Sequence, residues 1–165
     1  MNYPEEWRPI RGLEGSYSVS DRGRVRSEDR EVPHYRGGVS LRRGLTISPE
    51  VDARGYRRVV LMSGGRRVHQ SIHRLVCEAF HGPAPEGKPF SLHGDGNPSN
   101  NKVSNVRWGS SWDNMADKVL HGTNHELNKT HCPHRHPYSG ENLYVVPKTG
   151  KRQCRSCAKR RREMR

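Results

Sequence analysis

Between Ser91 and Trp112 the chain reads S-L-H-G-D-G-N-P-S-N-N-K-V-S-N-V-R-W-G-S-S-W, which places one His, one Asp, four Asn and two Trp in a stretch of little apolar periodicity. No core helix and no single core strand can be drawn through its whole length, because each needs apolar residues at a regular interval. Its polar groups must therefore find local work. Phe90–His93 reads as a short strand, 94–101 as a turn-rich loop and Asn105–Trp108 as a second strand. A helix then runs to about Leu120, with Ser111 or Asp113 as its N-cap and His121-Gly122 as its stop.

The rest of the chain is short of core material. Hydrophobic residues make up 30% of its 165 residues, and 17 Gly with 11 Pro favour short elements joined by many turns over one large core. The mean hydropathy of −1.04 agrees. The expected architecture is α+β and built of small modules: a β-rich N-terminal part over 1–50, a strand–loop–strand–helix core with a preceding hairpin and helix over 51–125, and a C-terminal basic module over 126–165.

In the first part, Tyr17 and Val19 alternate with serines, Asp21-Arg22-Gly23 makes a turn, and Arg24-Val25-Arg26 follows. This predicts a hairpin whose Arg22, Arg24 and Arg26 share a face. Residues 31–50 read as linker. Y-R-R-V-V-L-M and R-R-V-H-Q-S-I, joined by Ser63-Gly64-Gly65, predict two strands. The apolar stripe at 72, 75, 76, 79 and 80 predicts a helix closed by His81-Gly82-Pro83, with His73 and Cys77 as packing residues.

Thirty Lys and Arg against 17 acids give a net charge of +13, which points to a polyanionic partner, nucleic acid before membrane. No apolar run approaches the roughly 18 residues needed to span a bilayer. The acidic M-N-Y-P-E-E-W start has no apolar signal core, so the reading predicts a protein that is not secreted and works in a cytoplasm. The charge is uneven. Residues 81–130 balance five basic against five acidic groups, while 51–80 carry six against two and 131–165 ten against two. Basic flanks around a neutral centre suit phosphate-gripping arms around a chemical site. Arg22, Arg24, Arg26, Arg57, Arg66, Arg67, Arg160 and Arg161 are the candidate DNA contacts.

Cutting a phosphodiester requires a water nucleophile, a base to deprotonate it and positive charge at the phosphate. Imidazole suits the base near pH 7, and a hard cation that keeps most of its waters needs one or two protein oxygens. His93, Asp95, Asn114 and Asp117 are the residues of those types here. Each also has a plainer reading: Asp95-Gly96-Asn97-Pro98 as turn chemistry, Asn100, Asn101 and Asn105 as backbone partners, His93 as a buried hydrogen-bonded ring.

V-H-Q-S-I-H-R-L-V-C-E-A-F, then H-G-D-G-N-P-S-N-N-K-V-S-N-V-R-W and N-M-A-D, resemble the HNH homing-endonuclease family of the ββα-metal fold. W-R-P-I-R-G-L-E-G-S-Y-S-V-S-D-R-G-R-V-R-S resembles the NUMOD module that often precedes it in phage and intron-encoded nucleases. The resemblance implies metal-dependent hydrolysis of double-stranded DNA with Mg²⁺ or Mn²⁺, in a phage-infected or bacterial cell. It gives His93 the place of the general base, Asn105 that of the Asn tying the two strands, and Asn114 that of a metal ligand on the helix. The chain departs from the pattern at Leu92, where a metal-binding Asp is common, and at Lys118, where a last His would fall. Asp117 or Asp95 is the candidate for the missing carboxylate. A non-cleaving DNA-binding regulator on a degenerate nuclease scaffold and an RNA-binding zinc protein are the alternatives.

At the C-terminus, C-x-x-x-H and C-x-x-C pairs space Cys132, His136, Cys154 and Cys157 for a structural Zn²⁺, with His134 or His131 able to stand in for His136. The predicted module is a zinc ribbon ending in a basic helix that begins near Arg155.

Overall fold

The protein is described from a computed structural model covering residues 3–164. Its contacts divide it into two compact units, Met1–Lys118 and Val119–Arg165.

In the first unit β1 (Trp7–Pro9), β2 (Tyr17–Ser20) and β3 (Val25–Ser27) form an antiparallel meander. The turn between β2 and β3 is the expected one. Gly23 supplies its positive φ of 75°, and the Ser20 hydroxyl accepts the Arg24 N–H at 2.9 Å. The predicted arginine face does not form as drawn. Only Arg26 lies on β3, while Arg22 sits in the turn and Arg24 just before the strand.

Residues 31–50 are not a linker. They contain a hairpin of β4 (Arg30–Pro33) and β5 (Val39–Arg42), then β6 (Thr46–Ile47), which pairs with β3 and completes a sheet of order β1-β2-β3-β6. The next sheet comprises β7 (Glu50–Val51), β8 (Arg57–Ser63) and β9 (Arg66–Ser71). Alternation turns Val59 and Leu61 inward on β8.

The predicted helix begins as α1 (Ile72–Val76) and widens into a π turn over Cys77–His81. Where it widens, Arg8 donates to the Ala79 carbonyl at 3.2 Å and lies 4.6 Å over the Phe80 ring. β10 (Phe90–His93) and β11 (Val106–Gly109) pair antiparallel, with His93 opposite Val106. α2 (Ser111–Leu120) follows. Its cap is Ser110. The Ser110 hydroxyl accepts the Asp113 N–H at 3.1 Å, and the Asp113 carboxylate takes the Ser110 N–H at 2.7 Å.

One core serves both halves of this unit. Ile10, Tyr17, Val19 and Val25 pack with Val59, Leu61, Ile72, Leu75, Val76, Cys77, Val106 and Trp108. Each fully buried aliphatic side chain there contributes about 1.5–3 kcal/mol. Cys77 is a packing residue: burial pushes its thiol up to about 12.

The second unit contains α3 (His125–Asn128), a 3₁₀ turn at Gly140–Asn142, the hairpin β12 (Leu143–Val145) and β13 (Arg152–Cys154), and α4 (Arg155–Glu163). No helix among the described residues is long and apolar enough to cross a membrane.

Candidate active site and metal-binding cluster

His93 ends β10 with 8% of its surface exposed. Its Nε2 lies 2.9 Å from Oδ1 of Asn101, which is 3% exposed. Two more rings close around it. His73 from α1 has its centroid 5.0 Å away and Tyr56 5.8 Å away. Burial first, then the fields of His93 and Arg74, pushes His73 down to about 4, so it is neutral at pH 7.

The loop after His93 is organised by Asp95. Its carboxylate accepts from Asn100 Nδ2 at 2.7 Å, the Asn97 N–H at 2.8 Å and Asn105 Nδ2 at 2.9 Å. These donors, Asn100 foremost, pull it down to about 2. Asn105 returns the bond by accepting the Asp95 N–H at 3.0 Å, and donates to the Asn100 carbonyl at 2.7 Å. Asn105 therefore spans the loop from the position just before β11. The loop also has outside support: the Val103 N–H donates to the Asp21 carbonyl at 2.7 Å, and Ser99 donates to the Gly55 carbonyl at 3.3 Å.

On α2 the half-buried positions are Asp113, Asn114 and Asp117, spaced to share one helix face. Both Asp117 oxygens lie 2.8 Å from Nη2 of Arg107 on β11, which turns that face toward the hairpin. Asn114 precedes Asp117 by three residues on it. Leu92 is buried at 7% and would collide with any side chain at Gly109, so its place in the pattern is filled by core packing.

The candidate arginines differ in setting. Arg22 donates to the Tyr3 carbonyl, Arg24 pairs with Glu5, and Arg26 pairs with Glu28 while lying 4.4 Å over the Trp7 ring. Arg57, Arg66, Arg67, Arg160 and Arg161 are exposed. Arg67 stands opposite Met62 and Arg66 opposite Ser63, so these neighbours point to opposite faces of the β8–β9 ribbon.

In the second unit the ligand atoms of Cys132, His136, Cys154 and Cys157 all lie within 4.8 Å of one another. His136 Nδ1 is 3.6 Å from Cys132 Sγ, 3.6 Å from Cys154 Sγ and 3.3 Å from Cys157 Sγ, and Cys132 Sγ is 3.7 Å from Cys157 Sγ. A tetrahedron with metal–sulfur bonds of about 2.3 Å and metal–nitrogen bonds of about 2.0 Å has edges of about 3.75 and 3.5 Å. The cluster fits a tetrahedral metal ion, with His136 in the histidine place. Burial raises the Cys154 thiol, but N–H donation from Cys157 and Asn142 and the neighbouring thiols outweigh it and bring it down to about 6. Asn142, which the sequence reading did not single out, braces this knuckle by also accepting from the Ser156 N–H at 2.9 Å.

Comparison with known proteins agrees with this geometry. Residues 5–62 match the NUMOD4 motif and residues 70–116 match the HNH endonuclease family. DNA endonuclease I-HmuI of Bacillus phage SP01 is 33% identical over 118 residues, which is 72% of this chain and 60% of that protein. An uncharacterized HNH endonuclease, L245, of Acanthamoeba polyphaga mimivirus is 32% identical over 80 residues, 48% of this chain and 24% of the relative. A solved structure of DNA binding and cleavage by the HNH homing endonuclease I-HmuI superimposes with a TM-score of 0.56 and 34% identity, over 72% of this chain and 60% of that one. The chain thus spans about 60% of the length of I-HmuI. A NUMOD4 motif at residues 5–62 followed by an HNH endonuclease match at residues 70–116 makes the chain similar to the HNH endonucleases in sequence, and the I-HmuI structure extends that similarity to three dimensions.

Proposed function

We propose that the protein is a metal-dependent endonuclease that hydrolyses phosphodiester bonds in double-stranded DNA, with His93 as general base. The observation that carries this reading is the setting of His93: an imidazole at a strand end, hydrogen-bonded on one nitrogen and standing beside a loop braced by Asn105, within the HNH match.

His93 takes a proton from the attacking water. Asn105 keeps the loop that follows His93 in register, through its bonds to Asp95 and Asn100. Asn114 is the protein oxygen assigned to a catalytic Mg²⁺ or Mn²⁺, and that donor set fits a hard cation that keeps most of its waters. Once bound, such an ion offsets charge on the phosphate and the leaving oxygen. The oxygens of Asp95 face loop amides and those of Asp117 face Arg107, so both carboxylates are assigned to holding the frame in which Asn114 and His93 stand. Cys132, His136, Cys154 and Cys157 are assigned to Zn²⁺ in a structural role, since four protein ligands leave no open position for water.

DNA contact is assigned to Arg22, Arg24 and Arg26 of the 1–50 part, to Arg57, Arg66 and Arg67 of the 51–125 core, and to Arg160 and Arg161 of the strongly basic 126–165 part. In the Arg24–Glu5 and Arg26–Glu28 pairs the arginine is the more exposed partner, which leaves both guanidinium groups within reach of a phosphate. The setting that suits this work is the cytoplasm of an infected or bacterial cell.

The test is supercoiled plasmid incubated with protein and Mg²⁺ or Mn²⁺, beside His93→Ala. Nicking by the parent and none by the variant is the expected result. DNA binding without nicking by either protein overturns the proposal in favour of a non-cleaving regulator.

A further inference from the structure

The bond between His93 and Asn101 does more than fill a buried site. In neutral imidazole one ring nitrogen carries a proton and the other a lone pair, and the hydrogen bond made by one nitrogen decides the state of the other. Here Nε2 faces the side-chain oxygen of Asn101, Oδ1, at 2.9 Å. An oxygen there demands Nε2–H and leaves the lone pair on Nδ1. When His93 takes up a proton, the same bond becomes charge-assisted and strengthens, so it favours the protonated product of the step over its start.

Asn101 itself is held from an unexpected side. The turn between β2 and β3, at the opposite end of the first unit's sequence, lies against it: a Cβ built on Gly23 would lie 2.6 Å from Asn101 Cβ and 2.8 Å from the Asn101 backbone carbonyl oxygen. The same turn takes the Val103 N–H on the Asp21 carbonyl at 2.7 Å. The Asn101 Nδ2 group, by contrast, is buried with no hydrogen-bond partner. Leaving a buried donor unsatisfied costs about 1–3 kcal/mol, and the one side-chain bond that Asn101 makes here runs from its oxygen to His93.

We infer that Asn101 is a positioning residue for the base, fixing His93 as the Nε2–H tautomer so that Nδ1 receives the proton of the attacking water, and that the Asp21–Gly23 turn is its backstop. This rests on the function proposed above. It also couples the turn that carries Arg22, a candidate phosphate contact, to the orientation of the base.

The experiment measures single-turnover nicking and DNA affinity for Asn101→Ala, Asn101→Asp and His93→Ala, with ¹⁵N NMR of the histidine rings in the uncut protein. Asn101→Ala should cut about 100-fold more slowly, at the lower end of what losing a general base costs, with DNA affinity unchanged. Asn101→Asp keeps an acceptor for Nε2–H, gives up the unpartnered donor and adds a negative charge that favours the imidazolium formed in the step, so it should restore most of the rate. The His93 ring of the parent should show Nε2 protonated and Nδ1 bare. A purely structural role for Asn101 would lower melting temperature and leave the rate per folded molecule intact. Full-rate cleavage by Asn101→Ala beside an inactive His93→Ala overturns this inference alone, as does an Nδ1–H tautomer in the parent. Absence of nicking by the parent overturns the functional reading and this inference together.

Discussion

Three N–H donors converge on the Asp95 carboxylate, and that arrangement explains why a residue able to bind a metal serves as a loop organiser. Removing the side chain of Asn105 would strip one donor from Asp95 and leave the Asp95 N–H and the Asn100 carbonyl short of a partner. Asn105→Ala should therefore cost about 1–3 kcal/mol in urea unfolding, beyond any effect on cleavage. His73 supplies a pH dependence whose sign follows from its lowered value. The unfolded chain takes up its proton near 6.5, the folded one only near 4, so stability is complete above about 6.5 and falls as pH drops through that window. His73→Phe should flatten this slope in melts run between pH 7 and pH 4; an unchanged slope would place its origin elsewhere. At this scale the sequence was legible where chemistry follows residue type, as with the Cys/His set that the fold brings together. It offered Asn101 only as a backbone partner. Asn100 and Asn101 look alike in a row of amides, and only the closure of the loop against β10 aims one of them at the imidazole and the other at Asp95.

α2 depends on its first turn, since none of its residues is buried and the Ser110–Asp113 exchange closes its N-terminus. Ser110→Ala should destabilise the first unit by about 1 kcal/mol and increase fraying of α2 in amide exchange. The strand β8 was readable because half-burial imposes a period of two, as in the inward Val59 and Leu61. The β4–β5 hairpin was not. Every residue of β5 is exposed, so no side-chain alternation marks it and its register comes from backbone pairing alone. The Ser110 cap escaped for a smaller reason: serines at 110 and 111 offer neighbouring caps, and the Asp three residues after Ser110 selects between them.

Across the first unit, the NUMOD4 and HNH matches share a single core, from Ile10 to Trp108. Leu61, with no exposed surface at its centre, should cost about 2–5 kcal/mol when cut to Ala, and its loss should unfold both matched regions in one transition. The second unit rests on its cluster instead, so a strong chelator should collapse the amide spectrum of 131–157, leave that of β8 and β9 in place, and be reversed by Zn²⁺. Unchanged spectra in chelator would remove the metal from the account. The central proposal is that His93 activates water. The most direct check is the single-turnover rate of DNA nicking in Mg²⁺ or Mn²⁺ for the parent and His93→Ala, at protein concentrations that saturate binding. A fall of about 10²–10⁴-fold with DNA affinity unchanged is the expected result. A variant that cuts at the parental rate would contradict it.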